Sequence, residues 1–345
     1  MFPWILGLAP VHLPGFFYLH LLLRKPKSIT GWELYRKISV LIPCRNEADV
    51  ICDTIQDIVN ATRDLYREII VIDDGSTDNT FEIASNFTRF LARVKVFRKE
   101  RGGNGKAEAL NYGVERSTGD VVIVFDADSR PERVAIEKLL PYLSRNVIGV
   151  CGIVKVKNRD ENWLTRLTSL EFSIANYIQY KKAFSEYYSP LFTGTLMALN
   201  KRYAIFPKSL VEDALLSMQL VRDGKEIAIE PSSVCTQIEP SSIRTYFRQR
   251  TRWAKGNWDL LRFWGKGKKF PNNLLILSEQ IQPAFTLGSW VLLAYSLGLG
   301  YGYIGMLSLP TIILTTLFVF FLFTLGVLLY KAVKFSREKY PLSTY

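Results

Sequence analysis

The chain has 345 residues and a formal net charge of +12 at pH 7, and its only two His lie in its first apolar run. This length exceeds that of one average domain, and so few His exclude an active site built on histidine. Lys and Arg cluster beside apolar runs instead of forming one basic face. We therefore attribute the charge to a membrane and expect no nucleic-acid partner.

Three apolar runs, residues 1–23, 281–303 and 309–330, contain no Lys or Arg. Each has about 20 residues, enough for a helix to cross the bilayer core. Basic residues flank the runs, so the positive-inside rule places the flanks in the cytoplasm. A cleaved signal peptide is the alternative for residues 1–23, but such a peptide carries its positive charge before its apolar run. We predict an uncleaved N-terminal anchor and two further transmembrane helices, in a multi-pass protein of the cell membrane.

Residues 37–240 alternate short runs rich in Val and Ile with amphipathic stretches. This pattern is typical of an α/β fold with a mostly parallel sheet and helices on both faces. A basic, aromatic stretch at 241–270 predicts an amphipathic helix at the membrane interface, and residues 331–345 predict a basic cytoplasmic tail. Strands are predicted at 38–42, 68–72, 94–97, 121–125, 148–156 and 191–199, and helices at 47–61, 78–91, 106–117, 163–183 and 211–222.

Polar clusters follow three of the predicted strands, at the sheet edge where α/β proteins bind ligands. After the fourth strand come Asp126 and Asp128, two carboxylates one residue apart. A divalent cation with a preference for oxygen, Mn²⁺ or Mg²⁺, would allow both to ionise and would also neutralise a diphosphate. The alternative is an Asp-rich turn that precedes a helix, because Pro131 suits a helix start.

Asp73 and Asp74 end the second strand and precede a Gly-Ser-Thr turn. A carboxylate at a strand end can accept hydrogen bonds from a base or a ribose, and we favour Asp74 for the base contact. Helix capping is the alternative for the turn. A glycine-rich loop at 102–105 leads to Lys106 at a helix start, which suits phosphate binding or a plain turn.

Glu212 and Asp213 open a later helix, where acidic residues either complement the helix dipole or provide a general base for an acceptor hydroxyl. In the basic stretch, Arg252 can stabilise a leaving diphosphate and Trp253 can stack on a sugar. The alternative there is a helix that only lies on the membrane with its basic side chains extended to the surface.

Read together, these segments match a known family. In chain order they are PCRNE, DDGSTDNT, GGNGKAEALN, FDADS, FTGT, VED and QRTRW. The set resembles inverting glycosyltransferase family 2 with a GT-A nucleotide-sugar-binding domain, and its last three members resemble the cellulose synthase and hyaluronan synthase branch.

The resemblance implies a role for each matching residue. Asp126 and Asp128 would form the D-x-D metal pair, and Asp213 would be the catalytic base. Gln249, Arg252 and Trp253 would be the Q-x-x-R-W set beside the leaving group and the acceptor. The acceptor would bind at Thr193, Gly194, Thr195 and Trp253. The nucleotide sugar would contact Pro43, Arg45, Glu47, Asp73, Asp74, Lys106 and Asp126.

Three transmembrane helices are too few to enclose a polymer tunnel, but they can form a groove for an isoprenoid tail. We therefore expect a lipid-linked acceptor, such as dolichyl phosphate or a dolichol-linked glycan. The layout is similar to that of small archaeal membrane mannosyltransferases, which favours GDP-mannose as the donor. A minimal polysaccharide synthase that uses a UDP-sugar is the alternative. A scaffold that binds nucleotide without catalysis is a weaker one, because all three catalytic motifs are intact.

Overall fold

The computed structural model describes residues 37–62, 68–144, 146–183, 190–260, 326–327 and 329–335. The predicted membrane spans at 1–23 and 281–303 lie outside these residues, and the span at 309–330 lies almost wholly outside them. Within the described ranges, no helix is long and apolar enough to cross a membrane.

Eight strands form one mixed sheet in the order β3-β2-β1-β4-β7-β6-β8-β5. The strands β3, β2, β1 and β4 run parallel, as do β6 and β8, whereas β7 and β5 are antiparallel to their neighbours. The predicted, mostly parallel α/β sheet is confirmed. The strands are β1 (Ile38–Cys44), β2 (Glu68–Asp73), β3 (Val94–Arg98), β4 (Val121–Val124), β5 (Arg130–Pro131), β6 (Val147–Val156), β7 (Met197–Asn200) and β8 (Glu226–Gln237).

Helices cover both faces of the sheet, because the side chains of its central strands are apolar on both faces. Leu41 of β1 packs in one core cluster with Leu110, whereas Val40 packs in a second cluster with Ile55. The helices are α1 (Ile51–Thr62), α2 (Thr80–Asn86), α3 (Lys106–Arg116), α4 (Ala135–Leu139), α5 (Trp163–Ala183), α6 (Glu212–Arg222) and α7 (Ile243–Leu260). Residues 329–335 are also helical, and Phe335 lies with its ring 5.3 Å from that of Tyr177 and 4.7 Å from that of Tyr180 on α5.

The predicted strand at 191–199 is shorter in the structure, where only Met197–Asn200 is extended. Gly194 has a φ of +81° and Leu196 a φ of +46°, and these left-handed conformations interrupt an extended chain. Leu196 is fully buried, so its strained backbone is held by the packing around it. Residues 190–196 consequently form a loop at the ligand-binding edge of the sheet.

At the opposite edge, Glu68 at the start of β2 is a buried carboxylate with four donors. It accepts hydrogen bonds from Ser39 Oγ at 2.7 Å, from the backbone N and the hydroxyl of Thr118 at 2.6 and 2.8 Å, and from Lys95 Nζ at 2.5 Å. Burial by itself would raise the pKa of Glu68, but these hydrogen bonds outweigh it and lower the pKa to about 2. The carboxylate thereby joins β1, β2, β3 and the loop before β4.

We expect the stability of the protein to depend on Glu68 in acid. Its folded pKa of about 2 lies below the ordinary value of 4.5, which corresponds to about 3 kcal/mol. This contribution is complete above pH 4.5 and is lost as the pH falls towards 2. Glu68→Gln should therefore lower the melting temperature at pH 7. It should also reduce the fall in melting temperature between pH 5 and pH 3, measured by intrinsic fluorescence. Glu115→Gln, at an exposed position of α3, is the matched control; equal behaviour of the two variants would contradict the assignment.

Candidate active site

The loops that follow β1 and β2 are tied to each other, as their positions at neighbouring strand ends require. The backbone N of Asn46 donates to Ser76 Oγ at 3.0 Å, and its side-chain Oδ1 accepts from the backbone N of Thr77 at 2.8 Å. The backbone N of Glu47 donates to Thr80 Oγ1 at 2.8 Å. These bonds hold residues 45–50 out of a helix, so α1 begins at Ile51 and not at the predicted position 47.

Asp73 and Asp74 are both almost fully buried, and they hold the loops after β2 and β3 in place. Asp73 accepts from Arg98 Nε at 2.7 Å and from the backbone N of Ser76 at 3.0 Å. Asp74 accepts from Lys99 Nζ at 2.8 Å and from the backbone N of Gly105 at 3.0 Å. The predicted contact of Asp74 with a nucleotide base stays a prediction. In the structure, Asp74 also fixes the glycine-rich loop through its bond to Gly105.

The glycine-rich loop lies directly against the loop after β2. A Cβ on Gly102 would be 2.4 Å from the Cα of Gly75 and 2.6 Å from the carbonyl oxygen of Asp74, so only glycine allows this backbone approach. Arg45 extends over the same loop, because a Cβ on Gly103 would be 3.3 Å from its Nη1. Of the residues predicted after β1, Arg45 is exposed and Glu47 half-buried, whereas Pro43 is buried in the strand.

Asp126 and Asp128 follow β4, and the loop at 190–196 supports them. Thr195 is fully buried; its Oγ1 accepts from the backbone N of Asp126 at 3.1 Å and lies 2.7 Å from Ser129 Oγ. Lys106 Nζ forms a short ion pair with Asp126 and donates to the carbonyl oxygen of Gly194 at 3.0 Å. Thr195 thus lies beneath the predicted acceptor platform, while Thr193 is exposed at its surface.

The two carboxylates fit a divalent metal ion. Burial, then the charge of Asp126, raises the pKa of Asp128 to about 6. Burial, then the charges of Asp128 and Asp126, raises the pKa of Glu47 to about 7. Within the described ranges, no group of three His, Cys, Asp or Glu side chains is arranged around a metal position. A pair of hard carboxylate ligands suits Mg²⁺ or Mn²⁺, which complete their shells with water and phosphate oxygens.

The predicted base lies beside this metal pair. A Cβ on Gly194 would be 3.2 Å from both Asp213 Oδ2 and Lys106 Nζ, and 3.7 Å from Asp126 Oδ2. Burial, then the neighbouring Glu212, raises the pKa of Asp213 to about 7. Burial by itself would lower the pKa of Lys106, but Asp126 and Glu212 raise it above its ordinary value, so Lys106 is cationic in the site. The surroundings of Asp213 therefore suit a group that accepts a proton near neutral pH.

Within the basic stretch, the helix α7 runs from Ile243 to Leu260, and it places the two arginines of Q-R-T-R-W in different surroundings. Arg250 Nη2 pairs with Glu171 Oε2 on α5 at 2.7 Å, and its guanidinium lies 4.1 Å from the Trp253 ring and 4.7 Å from the Tyr246 ring. Arg252 is exposed. Arg250 therefore attaches α7 to α5, and Arg252 is the arginine that faces solvent.

Two residues that sequence reasoning missed join this helix to the metal pair. Gln237 Nε2 donates to Asp126 Oδ2 and to Asp128 Oδ1, both at 3.2 Å. Glu239 is buried, and burial raises its pKa to about 7, although Arg250 and a hydrogen bond from Gln249 act to lower it. Both residues lie at or just after the end of β8, whose apolar pattern is interrupted at Glu230, Pro231 and Ser232.

Residues 39–206 match the family model described as glycosyl transferase family 2. The match covers β1 to the loop after β7 and so contains the glycine-rich loop and the metal pair. The residues of α6 and α7 follow it.

Two curated relatives extend the similarity beyond this segment. The probable glycosyltransferase YdaM of Bacillus subtilis (strain 168) is 32% identical over 242 residues, which are 67% of this chain and 58% of the relative. A poly-beta-1,6-N-acetyl-D-glucosamine synthase of Staphylococcus aureus (strain MSSA476) is 28% identical over 277 residues, which are 75% of this chain and 64% of the relative. The chain thus spans about three fifths of the length of these relatives.

One solved structure has a similar fold. The mannosyltransferase PcManGT from Pyrobaculum calidifontis, in complex with GDP-Man and Mn²⁺, superimposes with a TM-score of 0.67 at 20% identity. The superposition covers 95% of this chain and 97% of that one. At this identity the likeness establishes a common fold.

Proposed function

We propose that this protein is an inverting glycosyltransferase that transfers a hexose, with mannose from GDP-mannose favoured, to a lipid-linked acceptor at the cytoplasmic face of the cell membrane. Dolichyl phosphate or a dolichol-linked glycan is the proposed acceptor, and glycan biosynthesis is the process it would serve. The convergence of Asp126, Lys106 and Asp213 around Gly194 carries this proposal. It brings a metal-binding carboxylate, a cation and a base together within the reach of one reacting centre.

With a dolichol-linked glycan as the acceptor, its hydroxyl oxygen forms a bond to the anomeric carbon while the bond from that carbon to the diphosphate breaks. Asp213 takes the hydroxyl proton, and Lys106 and Arg252 stabilise the negative charge of the leaving diphosphate. When bound, Mn²⁺ or Mg²⁺ supplies a Lewis acid for the same leaving group. A single displacement inverts the configuration, so that an α-linked donor gives a β-linked product.

A reaction at the membrane surface is supported by four exposed apolar side chains, Trp163 and Leu167 on α5 and Ile243 and Phe247 on α7. Each of the four side chains is at least half exposed. The starts of the two helices are joined by a hydrogen bond of 2.9 Å from Asn162 Nδ2 to the carbonyl oxygen of Ser241. Apolar side chains four residues apart, with exposed arginines between them, suit the interface of an anionic membrane.

The choice of donor rests on PcManGT, whose structure contains GDP-Man. A minimal polysaccharide synthase that uses a UDP-sugar is the second candidate, because the poly-beta-1,6-N-acetyl-D-glucosamine synthase relative is 28% identical over most of this chain. The two candidates differ in product, since one releases a singly extended lipid and the other an aqueous polymer.

The test is to incubate the full-length, detergent-purified protein with Mn²⁺, dolichyl phosphate or its glycosylated form, and a panel of labelled nucleotide sugars. Label from GDP-mannose should enter the organic phase, and excess EDTA should prevent this. Aqueous polymer from a UDP-sugar would support the second candidate. Absence of transfer from every donor would contradict both.

The two arginines of the Q-R-T-R-W segment should behave differently. Arg252→Ala should lower the turnover number about 10²–10³-fold, as loss of one group that stabilises a leaving charge does, with an unchanged melting temperature. Arg250→Ala breaks the pair with Glu171 and should lower the melting temperature. Sugar transfer and thermal unfolding, measured on both variants, separate the roles. A normal turnover number for Arg252→Ala would exclude it from the leaving-group site.

A further inference from the structure

We infer that Gln237 is a positioning residue of the metal site. Its neutral carboxamide holds the carboxylates of Asp126 and Asp128 at a fixed distance from each other. The inference rests on the metal dependence of the proposed function and concerns a residue outside the matched family segment. It starts from the two hydrogen bonds of 3.2 Å that Gln237 Nε2 donates, one to each carboxylate.

The backbone fixes Gln237 opposite the metal pair. The two-residue strand β5 follows the D-x-D loop directly and pairs with the end of β8, where Arg130 is opposite Thr236 and Pro131 is opposite Cys235. On the other side, β6 pairs with β8 up to Gln237, whose carbonyl oxygen accepts from the backbone N of Lys157 at 2.7 Å. Strand pairing thus holds Gln237 beside the loop that carries Asp126 and Asp128.

The charge balance explains why an amide is suitable at this position. Lys106 pairs with Asp126, whereas Asp128 forms no ion pair with any residue in the described part of the chain. A lysine at position 237 would neutralise Asp128 and compete with a divalent cation. A carboxamide donates a hydrogen bond without adding charge, so it limits the separation of the two carboxylates and leaves their negative charge for the cation.

A side chain of another length, or one without an amide, would not donate hydrogen bonds to both carboxylates. Asparagine is one methylene shorter, and a hydrophobic side chain has no donor. Leucine fills a similar volume without the amide, which makes Gln237→Leu the informative change. Gln56, exposed on α1 and hydrogen-bonded to Asn60 in its own helix, gives the matched control Gln56→Leu.

The experiment measures Mn²⁺ binding directly, from the electron paramagnetic resonance signal of free Mn²⁺, on the full-length protein in detergent without nucleotide. Gln237→Leu should weaken Mn²⁺ binding about 10–100-fold, as loss of a supporting residue around a metal site does. Gln56→Leu should bind Mn²⁺ as the wild type does. Gln237→Glu, a second variant of nearly the same shape, should bind Mn²⁺ more tightly than the wild type because it adds a third carboxylate.

Opposite shifts in the two Gln237 variants support the inference. Mn²⁺ affinity equal to the wild type in both variants would overturn it, whatever happens to their melting temperatures. Failure of the wild type itself to bind Mn²⁺ would overturn the metal dependence of the proposed function together with the inference. Wild-type binding with unaffected variants would overturn the inference alone.

Discussion

Asp128→Asn should reduce sugar transfer by more than about 10³-fold, because it removes one of two carboxylates that would hold the metal and so weakens the stabilisation of the leaving diphosphate. The substitution preserves the shape of the side chain, so a loss of sugar transfer would show that the negative charge of Asp128 is required. Transfer is measured with saturating donor across a range of Mn²⁺ concentrations, since a weaker site would shift the metal requirement as well as the maximum rate.

The same variant should be more stable than the wild type when no metal is present. Burial and the charge of Asp126 raise the pKa of Asp128 to about 6, so its ionised form is unfavourable in the folded protein at pH 7.5. Addition of Mn²⁺ should raise the melting temperature of the wild type and leave that of Asp128→Asn unchanged. Asp120→Asn, exposed just before β4, is the control for the substitution. Normal transfer by Asp128→Asn would exclude Asp128 as a metal ligand.

The four parallel strands β1 to β4 could be predicted well from the sequence, for a physical reason. The strands β1, β2 and β4 are buried on both faces, so their apolar residues are continuous and their ends are marked by the first polar residues. Those polar residues belong to the loops that meet at the sheet edge. Parallel neighbours end at the same edge, which is why the pattern of strands and polar residues suffices to group Asp73, Asp126 and the residues after Cys44.

The strand β8 could not be predicted in the same way. Glu230, Pro231 and Ser232 interrupt its apolar pattern, and its extended state depends on long-range pairing with β6, which itself shifts register between Cys151 and Ile153. Gln237 lies at the end of this strand, so its place beside the metal pair had no local signal. The loop at 190–196 was missed for the opposite reason, because its apolar residues favour a strand while the positive φ angles of Gly194 and Leu196 require a turn.

Asp213→Asn should lower the turnover number for a sugar hydroxyl acceptor about 10²–10⁴-fold, which is the contribution of a positioned general base. The carboxyl group lies beside Gly194, Lys106 and Asp126, at the centre of the proposed site. Burial and Glu212 raise its pKa to about 7, and the base acts only when it is deprotonated. The wild-type rate should therefore fall about tenfold for each pH unit below about 7, and level off above it.

The acceptor decides how this experiment is interpreted. A lipid phosphate is already ionised at neutral pH and needs no base, whereas a glycan hydroxyl must lose a proton as it attacks. The raised pKa of Asp213 favours the hydroxyl, so we expect the variant to fail with a dolichol-linked glycan and to lose the pH dependence of any residual rate. Asp223→Asn, just after the last turn of the same helix, is the matched control. Full activity of Asp213→Asn with a dolichol-linked glycan would exclude Asp213 as the base. Activity of the variant with dolichyl phosphate alone would favour the ionised phosphate as the attacking group.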